Sequence, residues 1–270
     1  MILKRVIQAV SWRLRHVYER RYFLLSKIIK SNVPQHNLTY LPDGFSITTV
    51  DRTGVSIIDN FCTQEEAQEI VDFARERVRP ASVLVDGKFV KSTGRISDTL
   101  RVFGPGNPDP QFMTMACRAA ALTGLPYTYL EGVYVTRYKE GGFYNEHLDS
   151  GDDFKVDRLY TVLLYLNDMD VAEGGSTAFP RLNIEVQPKA GRAVSWTNKN
   201  PDGSMHMEVS HAALPVNSGA EKWTIQFWFH PYKMFNELDI KPPQAAAGTP
   251  IDENYPLPEG ARFFVRGETK

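Results

Sequence analysis

The segment "KWTIQFWFH", residues 222–230, decides the fold class. Successive side chains of a β-strand point to opposite faces of its sheet. One face of this segment is therefore bulky and apolar, with Trp223, Ile225, Phe227 and Phe229. The other face carries a lysine and mostly polar groups, namely Lys222, Thr224, Gln226 and Trp228. A lysine that faces the interior of a β-protein is costly to desolvate unless an anion meets it, so the segment predicts a buried strand beside a site for an acidic ligand.

The segments around this strand have the same character. From residue 128 onward, short β-type runs alternate with Gly, Asp and Pro, namely "TYLEGVYVTRY", "LYTVLLYLN", "GGSTAFP", "IEVQP", "GRAVSWTN" and "HMEVSHAALPV". Many short strands with regular turns predict a sandwich or barrel. We therefore expect a mainly β, α+β protein with helices on the N-terminal side of the sheets.

One such helix is predicted for residues 63–78, after the strand-like segment "GVSIIDNF". Thr63 is a suitable N-cap, and Glu66 three residues later completes a capping box. The inner face of this helix would carry an apolar stripe made of Ala67, Ile70, Val71 and Phe73 or Ala74.

Composition limits the function classes only weakly. The 270 residues are 42% apolar and 11% aromatic, which suffices for a packed core. A formal net charge of −1 gives no overall attraction to nucleic acid. Cys62 and Cys117 are too few for a disulfide framework, so we expect buried free thiols and a reducing compartment.

The two ends of the chain differ from its centre. Residues 1–30 contain eight Lys or Arg against one Glu, and their apolar residues recur at helical spacing. This predicts a basic amphipathic helix that packs on its own domain in preference to a membrane, with no apolar run long enough for a signal peptide or a membrane span. The expected organisation is a helix and connector over 1–40, a central domain over 41–232, and a Pro/Ala-rich tail over 233–270.

A candidate metal site lies in "FYNEHLDSGDD", residues 143–153. On a strand, His147 and Asp149 would project to the same side and could share a metal ion or a proton. His211 closes the segment "HMEVSH". Two imidazoles and one carboxylate form the facial triad of non-haem Fe(II) oxygenases, which leaves coordination positions open for a chelating co-substrate and dioxygen. A 2-oxo dicarboxylic acid bound there would leave its distal carboxylate to pair with Lys222.

Several segments, in this order along residues 55–232, resemble the Fe(II)- and 2-oxoglutarate-dependent prolyl 4-hydroxylase family. They are "VTRYKEGGFYNEHLD", "RLYTVLLYLNDMDVAEGGSTAFP", "VQPKAGRAVSWTN" and "SHAALPVNSGAEKWTIQFW". The resemblance implies a double-stranded β-helix, or jelly roll, with supporting N-terminal helices. It also implies hydroxylation of a C–H bond, most plausibly of a peptidyl proline, with release of succinate and carbon dioxide. The implied cofactors are Fe(II), 2-oxoglutarate as co-substrate, and dioxygen, with ascorbate as a further reductant.

Carried over by residue, the resemblance implies three groups of site residues. The iron ligands and catalytic residues would be His147, Asp149 and His211. The 2-oxoglutarate carboxylate would meet Lys222, Tyr138 and Thr177. The peptide groove would be lined by Glu131, Tyr144, Arg158 and Trp228, and Arg95 and Ser97 would begin a loop that covers it.

The chain departs from the family pattern in the spacing from His211 to Lys222, which is one residue longer, and in "RISDTL" at residues 95–100. These departures concern the choice of peptide more than the binding of metal and co-substrate. The expected partner is a proline-containing peptide or protein in the cytoplasm, with no nucleic acid. Two alternatives remain open: a hydroxylase of a free amino acid or other small molecule, and a catalytically inactive binding module.

Overall fold

A computed structural model describes residues 44–234, except 51–52, 82, 86–87, 91–92, 105–106, 109–111, 152–156, 201 and 218. The helix predicted for residues 1–30 and nearly all of the predicted tail lie outside the described residues. The domain boundaries therefore stay predictions. Within the described ranges, no helix is long and apolar enough to cross a membrane.

The described chain contains two α-helices and sixteen short strands. The helices are α1 (Gln64–Arg75) and α2 (Met113–Thr123). The strands are β1 (Ser46–Val50), β2 (Val55–Asp59), β3 (Arg79–Pro80), β4 (Val83–Val85), β5 (Lys88–Val90), β6 (Arg95–Ile96), β7 (Asp98–Gly104), β8 (Asn107–Pro108), β9 (Leu130–Tyr138), β10 (Phe143–His147), β11 (Tyr160–Tyr165), β12 (Thr177–Phe179), β13 (Ile184–Val186), β14 (Ala193–Thr197), β15 (His211–Ala213) and β16 (Lys222–Phe229).

Two antiparallel sheets form the body of the protein. The large sheet has the strand order β1-β2-β14-β11-β16-β9-β7-β3, with β8 paired to β7, and the small sheet has the order β13-β12-β15-β10-β6. Strands β4 and β5 form a separate hairpin. This architecture confirms the prediction of a mainly β protein, because the described residues form sixteen strands and two α-helices. Many strands that are neighbours in a sheet are distant in sequence.

Strand β16 lies in the middle of the large sheet, between β11 and β9. Its apolar face joins the main core, with Trp223, Ile225, Phe227 and Phe229 each no more than 2% exposed. Both helices add residues to this core, so they cover one face of the large sheet. The other face looks toward the small sheet, where Phe179 of β12 packs edge-on against Trp196 of β14. The alternation predicted for residues 222–229 is therefore confirmed.

Helix α1 begins as its sequence predicts. The Thr63 hydroxyl accepts a hydrogen bond from the Glu66 backbone N–H, and the Glu66 carboxylate accepts one from the Thr63 N–H. Ala67, Ile70, Val71 and Ala74 form its buried stripe. The same carboxylate also pairs with Arg118 of α2 at 2.7 and 2.9 Å, so one side chain both caps α1 and ties it to the second helix.

Helix α2 was not among the sequence predictions. Its residues, "MTMACRAAALT", are buried around most of the helix, so they show no amphipathic period. The run of alanines, which have the highest helix propensity, and Gly124 as the left-handed C-cap were the available signals. Cys117 of α2 and Cys62 are free and buried, which confirms the prediction for both thiols.

The interaction of Glu66 with both helices predicts a specific loss of stability. Glu66→Ala removes the capping box and the two hydrogen bonds that the Glu66 carboxylate accepts from Arg118, whose side chain is 9% exposed. We expect the free energy of unfolding to fall by about 2 to 4 kcal/mol in urea titrations. The matched control is Glu69→Ala on the exposed face of α1, with an expected change of less than about 0.5 kcal/mol. Equal losses in the two variants would contradict this account.

Candidate active site

The three predicted ligands converge between the ends of two strands of the small sheet. His147 ends β10 and His211 begins β15, and the two residues are directly paired across these antiparallel strands. Asp149 lies beyond the end of β10, so the expectation that it shares a strand face with His147 is wrong. The chain bends after His147, and this bend returns the carboxylate to the imidazoles. Ligand atoms of the three side chains all lie within 4.8 Å of one another.

Backbone hydrogen bonds fix the tautomers of both imidazoles. The Nδ1 atom of His147 lies 2.7 Å from the carbonyl oxygen of Asn145, and that of His211 lies 3.0 Å from the carbonyl of Val209. A carbonyl oxygen can only accept, so each Nδ1 carries the proton. With the proton on Nδ1, Nε2 is the atom of each ring that can offer a lone pair to a metal, and both Nε2 atoms lie 3.7 Å from the Asp149 carboxylate.

The charges of the cluster also suit a divalent cation. Burial, followed by the neighbouring His211, lowers the pKa of His147 to about 3, so its ring is neutral. Burial alone would raise the pKa of Asp149, but His211, His147, Arg158 and the Thr161 hydroxyl outweigh it and keep the carboxylate ionised. Two neutral nitrogens and one anionic oxygen are the donor set of non-haem Fe(II) sites, so these residues fit that metal.

Lys222 is the second component of the site. Its side chain is 1% exposed, and burial lowers its pKa to about 7. Its ammonium lies 3.4 Å from the Thr177 hydroxyl and above the rings of Tyr138 and Tyr165 at 5.4 and 5.5 Å. In the part of the chain that the structure describes, no carboxylate pairs with it.

Two neighbours of Lys222 were missed by the sequence reasoning. Tyr165 is fully buried beside the ammonium, and it occupies the end of an apolar strand where nothing distinguishes it from a packing residue. Gly175 has φ +70°, and a Cβ there would lie 2.8 Å from the Met169 sulfur and 3.4 Å from Lys222 Cδ. The positive φ and the close approach of Met169 therefore favour glycine at this position, beside the lysine stem.

A cavity of about 460 Å³, which includes its opening to solvent, contains both the triad and Lys222. Tyr138, Thr177, Tyr144, Trp228 and Arg95 also line it. The ring of Tyr144 stacks on His147 with a centroid distance of 3.6 Å, and the Arg95 guanidinium lies 4.9 Å from the Tyr144 ring. The structure thus brings most of the predicted site residues to one cavity.

Glu131 and Arg158 do not line this cavity. Arg158 donates two hydrogen bonds to Glu131 at 2.7 and 2.8 Å, and its guanidinium lies 3.8 Å from the ring of Trp228. His230, which the sequence reasoning did not assign, lies 3.1 Å from the same carboxylate. Burial would raise the pKa of Glu131, but its bonds to Arg158 and His230 lower it to about 2. Glu131 and His230 therefore hold Arg158 in place, and the Arg158 guanidinium packs over the ring of Trp228.

The expectation that Arg95 and Ser97 begin a loop is wrong. Arg95 lies in strand β6, which pairs with β10 at the edge of the small sheet, where Arg95 opposes Tyr144. Residues 98–104 form β7 of the large sheet. The segment therefore crosses from one sheet to the other, and the Arg95 side chain is held there by a 2.7 Å hydrogen bond to the Ser97 hydroxyl.

Residues 133–230 match the family model of the 2OG-Fe(II) oxygenase superfamily. Prolyl 4-hydroxylase subunit alpha-1 of Gallus gallus is 34% identical over 179 residues, which are 62% of this chain and 34% of that protein. Subunit alpha-3 of Homo sapiens is 30% identical over 66% of this chain and 34% of its own length. The chain thus spans about a third of the length of these curated relatives.

Solved structures agree with these relatives. A viral collagen prolyl hydroxylase from Paramecium bursaria Chlorella virus-1, in complex with 2-oxoglutarate, has a TM-score of 0.52 and 26% identity. The match covers 66% of this chain and 96% of the viral one. A Pseudomonas putida prolyl-4-hydroxylase, with a TM-score of 0.50, 24% identity and coverage of 66% and 93%, shares the fold.

Fold and site together define a two-sheet β-protein with a two-histidine, one-carboxylate cluster that could hold a metal ion and a buried cation beside it. Residues 133–230 form a domain of the 2OG-Fe(II) oxygenase superfamily, and the curated proteins named above that resemble the chain are prolyl 4-hydroxylase alpha subunits.

The unpaired charge of Lys222 predicts a pH dependence of stability. Because the folded-state pKa of about 7 is below the ordinary lysine pKa of 10.5, the unfolded chain holds more protons between these values. The stability of the ligand-free protein should therefore rise with pH in this window, by at most about 1.4 kcal/mol per pH unit. Lys222→Met lacks this contribution, so the variant should be the more stable protein near pH 7 and lose that advantage toward pH 10.

The measurement is urea unfolding of both proteins at several pH values, without metal or 2-oxoglutarate. Lys189→Met is the matched control, because Lys189 is exposed. Its difference from the parent protein should not vary with pH. Parallel pH curves for the parent and Lys222→Met would show that Lys222 is not desolvated in the folded state.

Proposed function

We propose that this protein is an Fe(II)- and 2-oxoglutarate-dependent dioxygenase that hydroxylates a prolyl residue of a peptide or protein, with release of succinate and carbon dioxide. The observation that carries the proposal is the pairing of two features in one cavity. One wall holds a two-histidine, one-carboxylate cluster, and the interior holds an ammonium group without a carboxylate partner among the described residues. A 2-oxo dicarboxylic acid fits both, because it offers a chelating end and a distal carboxylate.

Lys222 would act as the anchor of the co-substrate. A carboxylate next to its ammonium favours the charged form, which raises the pKa again and offsets the desolvation penalty. Thr177, 3.4 Å from the ammonium, and Tyr138, buried beside it, can add hydroxyl donors to the same carboxylate. Unlike a surface lysine, this one has already lost its contact with water on folding, so binding of an anion adds no further desolvation cost for the lysine.

The triad residues would hold Fe(II), which supplies the redox chemistry that couples decarboxylation of 2-oxoglutarate to hydroxylation of a C–H bond. The chain itself contributes two Nε2 donors and an ionised carboxylate, already oriented before a metal binds. Tyr144 fixes the ring of His147 by stacking on it, and the apolar cluster around His211 limits access of water. Ascorbate would restore the ferrous state.

The prolyl substrate is supported by the similarity to prolyl 4-hydroxylase alpha subunits and to the viral collagen prolyl hydroxylase. Aromatic rings at the cavity, those of Tyr144 and Trp228, suit contact with a proline ring. We further propose a double-stranded β-helix as the exact form of the two-sheet fold. The two buried free thiols support a cytoplasmic location.

The test is production of succinate from 2-oxoglutarate by protein loaded with Fe(II) without oxygen and then exposed to it. A proline-rich peptide should stimulate turnover, whereas free proline should not. His147→Ala should abolish turnover, because it removes a ligand. Lys222→Met should raise the KM for 2-oxoglutarate at least about 30-fold, since a charge-assisted hydrogen bond contributes about 2 kcal/mol. Lys189→Met should match the parent protein.

Other outcomes would distinguish the remaining classes. Turnover stimulated by free proline or another small molecule, and not by peptides, would show that the substrate is a small molecule and would contradict the proposed peptide substrate. Binding of Fe(II) and 2-oxoglutarate without succinate under any condition would indicate an inactive binding module.

A further inference from the structure

A chain of three buried hydrogen bonds leads from Trp196 to the Asp149 carboxylate. The indole Nε1 of Trp196 donates to Asn198 Oδ1 at 3.0 Å, and Asn198 Nδ2 donates to Thr161 Oγ1 at 2.9 Å. Thr161 Oγ1 then donates to Asp149 Oδ2 at 2.7 Å. Trp196, Asn198 and Thr161 are each no more than 2% exposed, so water does not compete for these bonds.

The direction of every bond in this chain is fixed by the indole. An indole N–H can only donate, so the atom of Asn198 that faces Trp196 must be its oxygen. The amide nitrogen of Asn198 therefore faces Thr161 and donates to it. A threonine hydroxyl has one proton, and because Thr161 accepts from Asn198, that proton is directed at Asp149.

The two oxygens of Asp149 are thereby made different. Oδ2 accepts the hydrogen bond from Thr161 and lies 3.7 Å from His211 Nε2, whereas Oδ1 lies 3.7 Å from His147 Nε2 and has no hydrogen-bond donor within the described residues, which leaves Oδ1 as the freer oxygen. A buried carboxylate that accepts a hydrogen bond on one oxygen is held in one rotation and stays ionised. The hydrogen-bond chain therefore fixes the orientation of this ligand.

The same indole also contacts the second histidine of the triad. The ring of Trp196 packs edge-on against that of His211, with centroids 4.6 Å apart. Trp196 and Thr161 are direct cross-strand neighbours in β14 and β11 of the large sheet. One rigid strand pair thus controls two ligands, His211 by ring packing and Asp149 by the hydrogen bonds.

We propose that Thr161, oriented by Asn198 and Trp196, is a positioning residue that presents Asp149 to the metal through Oδ1. The inference rests on the metal site of the proposed function. None of the three residues donates a hydrogen bond to Oδ1, so Thr161 and Asn198 act through the orientation of the carboxylate, and Trp196 acts in addition through its packing against His211. Such supporting residues set metal affinity as well as geometry.

The test uses Co(II), whose visible absorption reports both its affinity and its coordination. Thr161→Val removes the hydroxyl and keeps the shape, and it should raise the Kd for Co(II) about 10-fold and change the absorption bands. Thr161→Ser keeps a hydroxyl and should restore the affinity to within about 3-fold of the parent protein and the parent spectrum. A hydroxyl needed only for packing would not give this pattern, because serine lacks the methyl group.

Two further variants test the direction of the bonds. Asn198→Asp cannot donate, so Thr161 is free to turn its proton toward residue 198, and Co(II) binding should weaken as in Thr161→Val. Trp196→Phe keeps an aromatic ring against His211 but removes the N–H, so it should weaken Co(II) binding less than Asn198→Asp does. If Thr161→Val does not fold, the affinity of Asn198→Asp decides the question on the same terms.

Thr136→Val is the matched control. Thr136 is fully buried in the same sheet and its hydroxyl donates to Gln226, not to a ligand, so Co(II) affinity should be unchanged. Melting temperatures of the metal-free variants separate lost stability from lost affinity. Tight Co(II) binding by Thr161→Val and Asn198→Asp, with the parent spectrum, would overturn the inference. Failure of the parent protein itself to bind Co(II) would instead remove the proposed function.

Discussion

A buried ammonium group without a carboxylate partner is the constraint on which the site depends. Desolvating such a charge costs several kcal/mol, and among the described residues Lys222 meets only one hydroxyl and two aromatic rings within hydrogen-bonding or cation–π range. The protein tolerates this cost because the same strand places four large apolar side chains in the main core. Strand β16 thus stabilises the fold with one face, and on the other face it holds a desolvated ammonium group that an anion would stabilise.

The antiparallel pairing of the small sheet supplies the second half of the site. Because β10 and β15 run in opposite directions, the last residue of one and the first of the other meet as a cross-strand pair, and both are histidines. Their Nδ1 atoms are occupied by carbonyls two residues earlier in the chain. Sheet geometry therefore determines the spacing of the imidazoles, and local backbone determines their tautomers.

The sequence predicted those features that depend on local pattern. The alternation in residues 222–229, the capping box of Thr63 and Glu66, and the set of His147, Asp149 and His211 are each visible as spacing or residue type. Features that depend on tertiary contact were not visible. Helix α2 lacks an amphipathic period because it is buried on most sides. Asp149 reaches the imidazoles through a bend after β10, which residue spacing does not predict. Arg95 was assigned to a loop on the basis of the family resemblance, and local pattern could not correct this, because its pairing with Tyr144 joins strands almost fifty residues apart.

The strongest departure from local prediction lies behind the metal ligands. Thr161 and Trp196 look like ordinary members of apolar strands, and Asn198 looks like the start of a turn. In the folded protein the three form one directional hydrogen-bond chain, because β11 and β14 are paired and Asn198 follows directly after β14. Because the Trp196 indole N–H can only donate, it determines the orientation of the Asn198 amide and of the Thr161 hydroxyl, and so directs the hydroxyl proton at the Asp149 carboxylate. The two histidines lie in strands of the small sheet, and Asp149 lies just beyond the end of one of these strands. The residues that orient Asp149 and pack against His211 belong to the large sheet or follow directly after it. Contact between the two sheets therefore sets the geometry of the site.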